Sequence, residues 1–109
     1  MQTSAVLLKK PESLSLELVG LKDPDHDEVV VRVLHSGIST GTEKLLWSGA
    51  MPPFPGLGYP LVPGYEAVGE VIEAPKGASV KVGDLVFVPG SNGFVDAKGL
   101  FGGSARHIV

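Results

Sequence analysis

The stretch Glu28-Val29-Val30-Val31-Arg32-Val33-Leu34, running on to Ser36-Gly37-Ile38-Ser39-Thr40-Gly41-Thr42-Glu43, decides the class of fold. Its clustered valines favour an extended backbone, because β-branched side chains pack well on a pleated surface. The pattern then changes. Thr40 followed three residues on by Glu43 matches a capping box, Lys44-Leu45-Leu46-Trp47 supplies a short helix, and Gly49 is placed to stop it. Upstream, Asp23-Pro24-Asp25-His26-Asp27 reads as a charged turn. Before it, Leu14, Leu16 and Leu18 alternate with Ser15 and Glu17, the period of a half-buried strand, and residues 5–8 form a further short apolar run. Downstream, residues 50–63 are broken by prolines, which lack the N–H that a helix interior or a central strand needs. In that loop Met51, Phe54, Leu57 and Tyr59 either cover the core or line an apolar site. Residues 65–73 and 85–88 resume as strands, a glycine-rich loop runs to Gly103, and residues 104–109 begin one more. The expectation is a mainly β domain of about seven strands, with one or two short helices.

The 109 residues suffice for one domain with a modest core and are too few for two. Fifteen glycines and nine prolines favour short strands joined by turns over a helical bundle. The net charge of −3, with no basic run, argues against a nucleic-acid partner. Cysteine is absent, which excludes disulfides, thiolate chemistry and Cys-based zinc sites among these residues. The apolar stretch near the N-terminus is too short for a signal peptide or a membrane span, so a cytoplasmic location is expected. Gly56-Leu57-Gly58 opens like a dinucleotide-binding turn, but Leu61 stands where its third glycine belongs. There is no Gly-Lys-Ser/Thr for a phosphate loop. His26, His35 and His107 lack the spacing of metal ligands, and no serine sits in a nucleophile-elbow context.

Four features, in order, carry a resemblance. They are the strand end Ser36-Gly37-Ile38-Ser39-Thr40-Gly41-Thr42-Glu43, then Pro63-Gly64-Tyr65-Glu66-Ala67-Val68-Gly69-Glu70-Val71 after the proline-rich loop, then Val82-Gly83-Asp84-Leu85-Val86, and last Gly102-Gly103-Ser104-Ala105. With these the chain resembles the N-terminal, GroES-like catalytic domain of the medium-chain dehydrogenase/reductase superfamily, a partly open β-barrel. In zinc-dependent members a Gly-Ile-Cys motif and a Gly-His-Glu motif each supply a metal ligand. The matching positions here are Gly37-Ile38-Ser39 and Gly64-Tyr65-Glu66. A serine hydroxyl and a tyrosine phenol are poor ligands for zinc, so the resemblance implies a zinc-free branch with no metal site.

The run Leu45-Leu46-Trp47-Ser48-Gly49, then Met51-Pro52-Pro53-Phe54-Pro55-Gly56, is similar to a pigment-pathway branch of that superfamily. Its members oxidise the 3-(1-hydroxyethyl) side chain of a bacteriochlorophyllide to an acetyl group. The resemblance implies a small-molecule substrate, and NAD held by a Rossmann domain that these 109 residues lack. The chain ends inside an apolar run and is expected to continue; alone it is expected to be inactive. It also leaves a homodimer open. With no metal to lower the alcohol pKa, a hydroxyl or a relay must take the proton. Tyr65 is the expected acceptor, with Ser39 or Thr42 as relay and Glu66 polarising the set; alternatively, Tyr65 fills the volume of a lost zinc site as core. Thr40, Trp47, Met51, Phe54 and Tyr59 are the expected substrate wall. Two other readings share this fold: a zinc-free alcohol or quinone oxidoreductase of the same superfamily, and a co-chaperonin-like binding module without catalysis.

Overall fold

A computed structural model describes residues 1–109. The strands are β1 (Gln2–Lys10), β2 (Ser13–Gly20), β3 (Val30–Ser36), β4 (Leu61–Val62), β5 (Ala67–Glu73), β6 (Leu85–Val88), β7 (Lys98–Gly99) and β8 (His107–Ile108), with one helix, α1 (Thr42–Ser48). They form two sheets, in the orders β2-β1-β4-β7 and β6-β5-β3-β8. β1 and β2 make an antiparallel hairpin. β3 runs antiparallel to β5, where Arg32 lies opposite Glu70 and pairs with it at 2.8 Å.

Residues 104–108 sew the sheets together along one side. Toward the first sheet, the Val6 N–H donates to the Ser104 carbonyl and the Arg106 N–H to the Ser4 carbonyl. Toward the second, His107 and Ile108 pair with Arg32 and Val31 of β3. One segment serving both sheets curls the sandwich into a partly open barrel. Between the sheets lies the main core, which includes Ala5, Leu7, Val19, Leu21, Val31, Val62, Val71 and Ile108. On the other face of β1 a smaller cluster joins Leu8, Leu61 and Leu100 to Leu46 of α1.

The mainly β class, the single short helix and its stop agree with the sequence reading. Gly49 ends α1 at φ 78°, and the N–H groups of Gly49 and Ala50 donate back to the Leu46 and Leu45 carbonyls. Strand bounds differ. β4 and β7 are two residues long, too short to show any period. Tyr65 and Glu66 precede β5 rather than starting it.

The larger correction concerns β2. Leu14, Leu16 and Leu18 are 56%, 74% and 67% exposed. The β1–β2 register sets Leu16 opposite Val6 on the outer face, while Ser15 and Glu17 stand opposite Leu7 and Ala5, which are core residues. Glu17 reaches along the sheet to Lys9 at 2.9 Å. Alternation identifies the residues that share a face, but not which face another layer covers. Leu16→Ser is accordingly expected to cost no more than about 1 kcal/mol in urea denaturation. A loss of several kcal/mol would place the leucines inside.

Candidate active site

The chain turns from β3 into α1 around Ser39. Its Oγ accepts hydrogen bonds from the N–H groups of Gly41 and Thr42, both at 3.2 Å, and its own N–H donates to Glu43 Oε2 at 2.9 Å. This is capping-box chemistry, moved one residue upstream of the expected Thr40. The reason is that Gly41, the N-cap, already has helical dihedrals (φ −88°, ψ −72°) and carries no side chain. Winding therefore begins before Thr42, and the Ser39 hydroxyl is the group that meets the open N–H groups. The other oxygen of Glu43, Oε1, is buried without a protein partner.

Beside this turn lies a cleft of about 440 Å³. The β1–β2 hairpin contributes Val6, Leu8 and Leu14 to it, and the turn and helix contribute Ile38, Leu46 and Trp47. Polar groups come from Ser36, Ser39, Thr40, Glu43, Lys44 and Ser104. Ser36 Oγ and Ser104 Oγ are 3.2 Å apart. The Ser104 N–H donates to the Pro63 carbonyl at 2.9 Å, and the Gly103 N–H to the Gly64 carbonyl at 2.7 Å.

Of the residues singled out by sequence, Ser39, Thr40 and Trp47 border the cleft. Thr42 opens α1 and gives its N–H to Ser39. Tyr65 sets its ring edge-on to Phe101, with centroids 5.7 Å apart and planes at 83°. Glu66 is exposed; its backbone carbonyl accepts the Gly37 N–H, and its side chain lies over that glycine. No hydrogen bond links Tyr65 to Ser39, whose partners are Gly41, Thr42 and Glu43. Met51, Phe54 and Tyr59 pack against the Leu8–Leu46–Leu61–Leu100 cluster, and Tyr59 Oη donates to the Leu46 carbonyl. The proline-rich loop thus braces α1 from the side opposite solvent. Sequence reasoning missed Ser36, Ser104 and Glu43 as cleft residues. For Glu43 a signal existed, the Thr40–Glu43 spacing, which reads equally as a cap or as a functional pair.

The positions matched to zinc ligands do not fit the ion. Ser39 is engaged in the turn, Tyr65 packs on Phe101, and no group of three or more His, Cys, Asp or Glu side chains converges.

Among the histidines, His107 sits at the seam between the sheets. Burial first, and then the Arg106 and Arg32 charges, push its imidazole below the usual value. In the unfolded chain it binds its proton near pH 6.5, whereas the folded chain resists protonation to a lower pH. The stability present above about pH 6.5 is lost as pH falls through the folded value. Urea midpoints are expected to drop between about pH 8 and about pH 5, and to drop less in His107→Asn. An identical profile in the variant would assign the pH dependence elsewhere.

Residues 25–108 match the alcohol dehydrogenase GroES-like domain family, and the chain belongs to that family, a domain of medium-chain dehydrogenases. Two relatives narrow this further. Over its whole length the chain is 54% identical to the 2-desacetyl-2-hydroxyethyl bacteriochlorophyllide A dehydrogenase of Cereibacter sphaeroides and 51% identical to that of Rhodobacter capsulatus. It spans 36% and 35% of those proteins, about a third of their length. Among solved structures, the D-arabinose dehydrogenase from Sulfolobus solfataricus matches 99% of the chain with a TM-score of 0.76, over 37% of its own length. At 23% identity that likeness is one of fold.

Proposed function

We propose that these residues form the substrate side of an NAD-dependent dehydrogenase that oxidises the 3-(1-hydroxyethyl) group of a bacteriochlorophyllide to an acetyl group, without zinc. The observation that carries this reading is a continuous apolar surface. Leu14 belongs both to the cleft and to the outward leucine face of β2, so the surface runs from Trp47 and Ile38 past Val6 and Leu14 to Leu16 and Leu18. A flat macrocycle with one reacting side chain needs a wide apolar wall with a few hydroxyls at one place. The two bacteriochlorophyllide dehydrogenase relatives support the choice of ring. Ser39 and Tyr65, where zinc-binding relatives carry ligands, support zinc independence. A cytoplasmic location and a homodimer are compatible with this reading.

NAD, when bound beyond these residues, would take the hydride from the carbinol carbon. The chain's own residues must orient the ring, exclude water and receive the alcohol proton. Trp47 and Thr40 border the ring site, while Met51, Phe54 and Tyr59 shape it indirectly by holding α1. Tyr65 is the proposed proton acceptor, taking the alcohol proton as its own phenolic proton passes on to water, with Ser39 or Thr42 as relay and Glu66 polarising the set. Tyr65→Phe, made in the protein at the length of its relatives, is expected to lower kcat by about 100-fold with KM little changed. Unchanged turnover would make Tyr65 a packing residue.

The function is tested with the protein at that length, NAD and the hydroxyethyl macrocycle. The expected result is one NADH per acetyl product, at a rate that a chelator leaves unaltered. Oxidation of sugars or small alcohols alone, or a rate lost to the chelator and restored by zinc, would overturn it. The 109-residue chain by itself should be inactive.

A further inference from the structure

We propose that the hydroxyls of Ser36 and Ser104 form the subsite that binds the oxygen of the reacting side chain, both as alcohol and as ketone. This rests on the function proposed above and adds the atoms that would hold that oxygen. Ser36 opens the first and Ser104 lies in the last of the four stretches that carry the family resemblance, 68 positions apart in the chain. The fold brings their Oγ atoms to 3.2 Å of one another at the exposed edge of the cleft, which Val6, Ile38 and Pro63 also line.

Each hydroxyl has one proton to donate and two lone pairs. Their mutual hydrogen bond consumes one proton, so the pair keeps one free donor and free lone pairs on both oxygens. An alcohol, which is both donor and acceptor, can satisfy both functions. A ketone, acceptor only, can still take the donor. Once a bound ring covers the pair from solvent, it discriminates, because a ligand lacking the oxygen leaves polar groups desolvated and unpaired.

The pair is also held firmly. The Ser104 N–H is bonded to the Pro63 carbonyl and the Ser104 carbonyl to the Val6 N–H, each at 2.9 Å. Ser36 closes β3 in register with Ala67 of β5. Both backbones are therefore fixed by sheet contacts, which preorganises the two oxygens. Ser39 differs, since its Oγ already accepts two N–H groups and serves the turn. The competing role for the pair is a purely structural tie between β3 and the seam segment.

The test uses Ser36→Ala and Ser104→Ala in the protein at the length of its relatives. Two probes are compared: the hydroxyethyl macrocycle and the same ring with ethyl in its place. Binding is followed by pigment absorbance, and stability by urea midpoint. The wild type is expected to prefer the hydroxyethyl ring by about 5-fold or more, and each alanine variant to lose about 5- to 10-fold for that ring but under about 2-fold for the ethyl ring. Ser36→Thr, which keeps a hydroxyl, should restore most of the preference. Equal losses for both rings would make the pair a structural tie, and no loss for either would remove it from the site. A wild type that oxidises the pigment yet shows no preference sinks the subsite alone. A wild type that binds neither ring sinks the proposed function and this subsite with it.

Discussion

Gly64→Ala is expected to lower the free energy of unfolding by about 2–5 kcal/mol, combining backbone strain of roughly 1–2 with overpacking of roughly 1–3. Gly64 has φ 104°, a conformation that side chains rarely adopt, and an added Cβ would stand 2.6 Å from Ser104 Oγ and 2.8 Å from Ser104 N. Those atoms cannot retreat freely. The Ser104 N–H is bonded to Pro63, and the Gly103 N–H to Gly64 itself. Gly77 provides the control, with φ 83° and nothing near its would-be Cβ. Gly77→Ala should therefore show the strain alone, about 1–2 kcal/mol. Urea denaturation followed by circular dichroism compares the two. Equal losses would show that the corner relaxes around the methyl group without cost. A folded domain has only about 5–15 kcal/mol to lose, so the upper end of the range would leave a measurable unfolded population. The same substitution displaces Ser104 and should disturb the cleft even where the chain remains folded.

Leu46→Ala is the second large effect, a loss of about 2–5 kcal/mol. Leu46 is 1% exposed and is the one buried residue of α1. It meets Leu8, Leu61 and Leu100, and the first two belong to paired strands that cannot move inward to fill a cavity. Its carbonyl also takes the Tyr59 hydroxyl, so the proline-rich loop loosens along with the helix. Because α1 carries Trp47, the only tryptophan here, its emission should shift to the red before global unfolding. Leu45→Ala, on a side chain 38% exposed, should cost under about 1 kcal/mol. Matching losses at the two positions would mean that α1 is not anchored through Leu46.

Much of the fold was legible because its signals are local. Val30 to Val33 prefer an extended backbone wherever they lie, and Gly49 can adopt the left-handed angle that ends a helix. The proline-rich loop was legible as irregular, yet Met51, Phe54 and Tyr59 read equally well as core or as site. In the structure they are partly buried and pack against Leu8, Leu46, Leu61 and Leu100. The turn at Ser39 was legible as capping chemistry but shifted by one residue, since the dihedral angles of Gly41 are not written in its neighbours. Least legible was the cleft itself. Ser36, Ser104 and Leu14 come from separate strands and a loop, and no spacing links them.

Local pattern alone thus determined a mainly β chain, with one short helix and no cysteine chemistry, while the resemblance of its motifs to a known family implied a dehydrogenase domain. Tertiary structure decided which side of β2 meets solvent, which cluster the loop aromatics pack against, and which hydroxyls meet in the cleft. The physical reason is one of range. Propensity, alternation and capping act between residues a few positions apart, whereas burial and the pairing of Ser36 with Ser104 depend on which distant segments arrive on the other side.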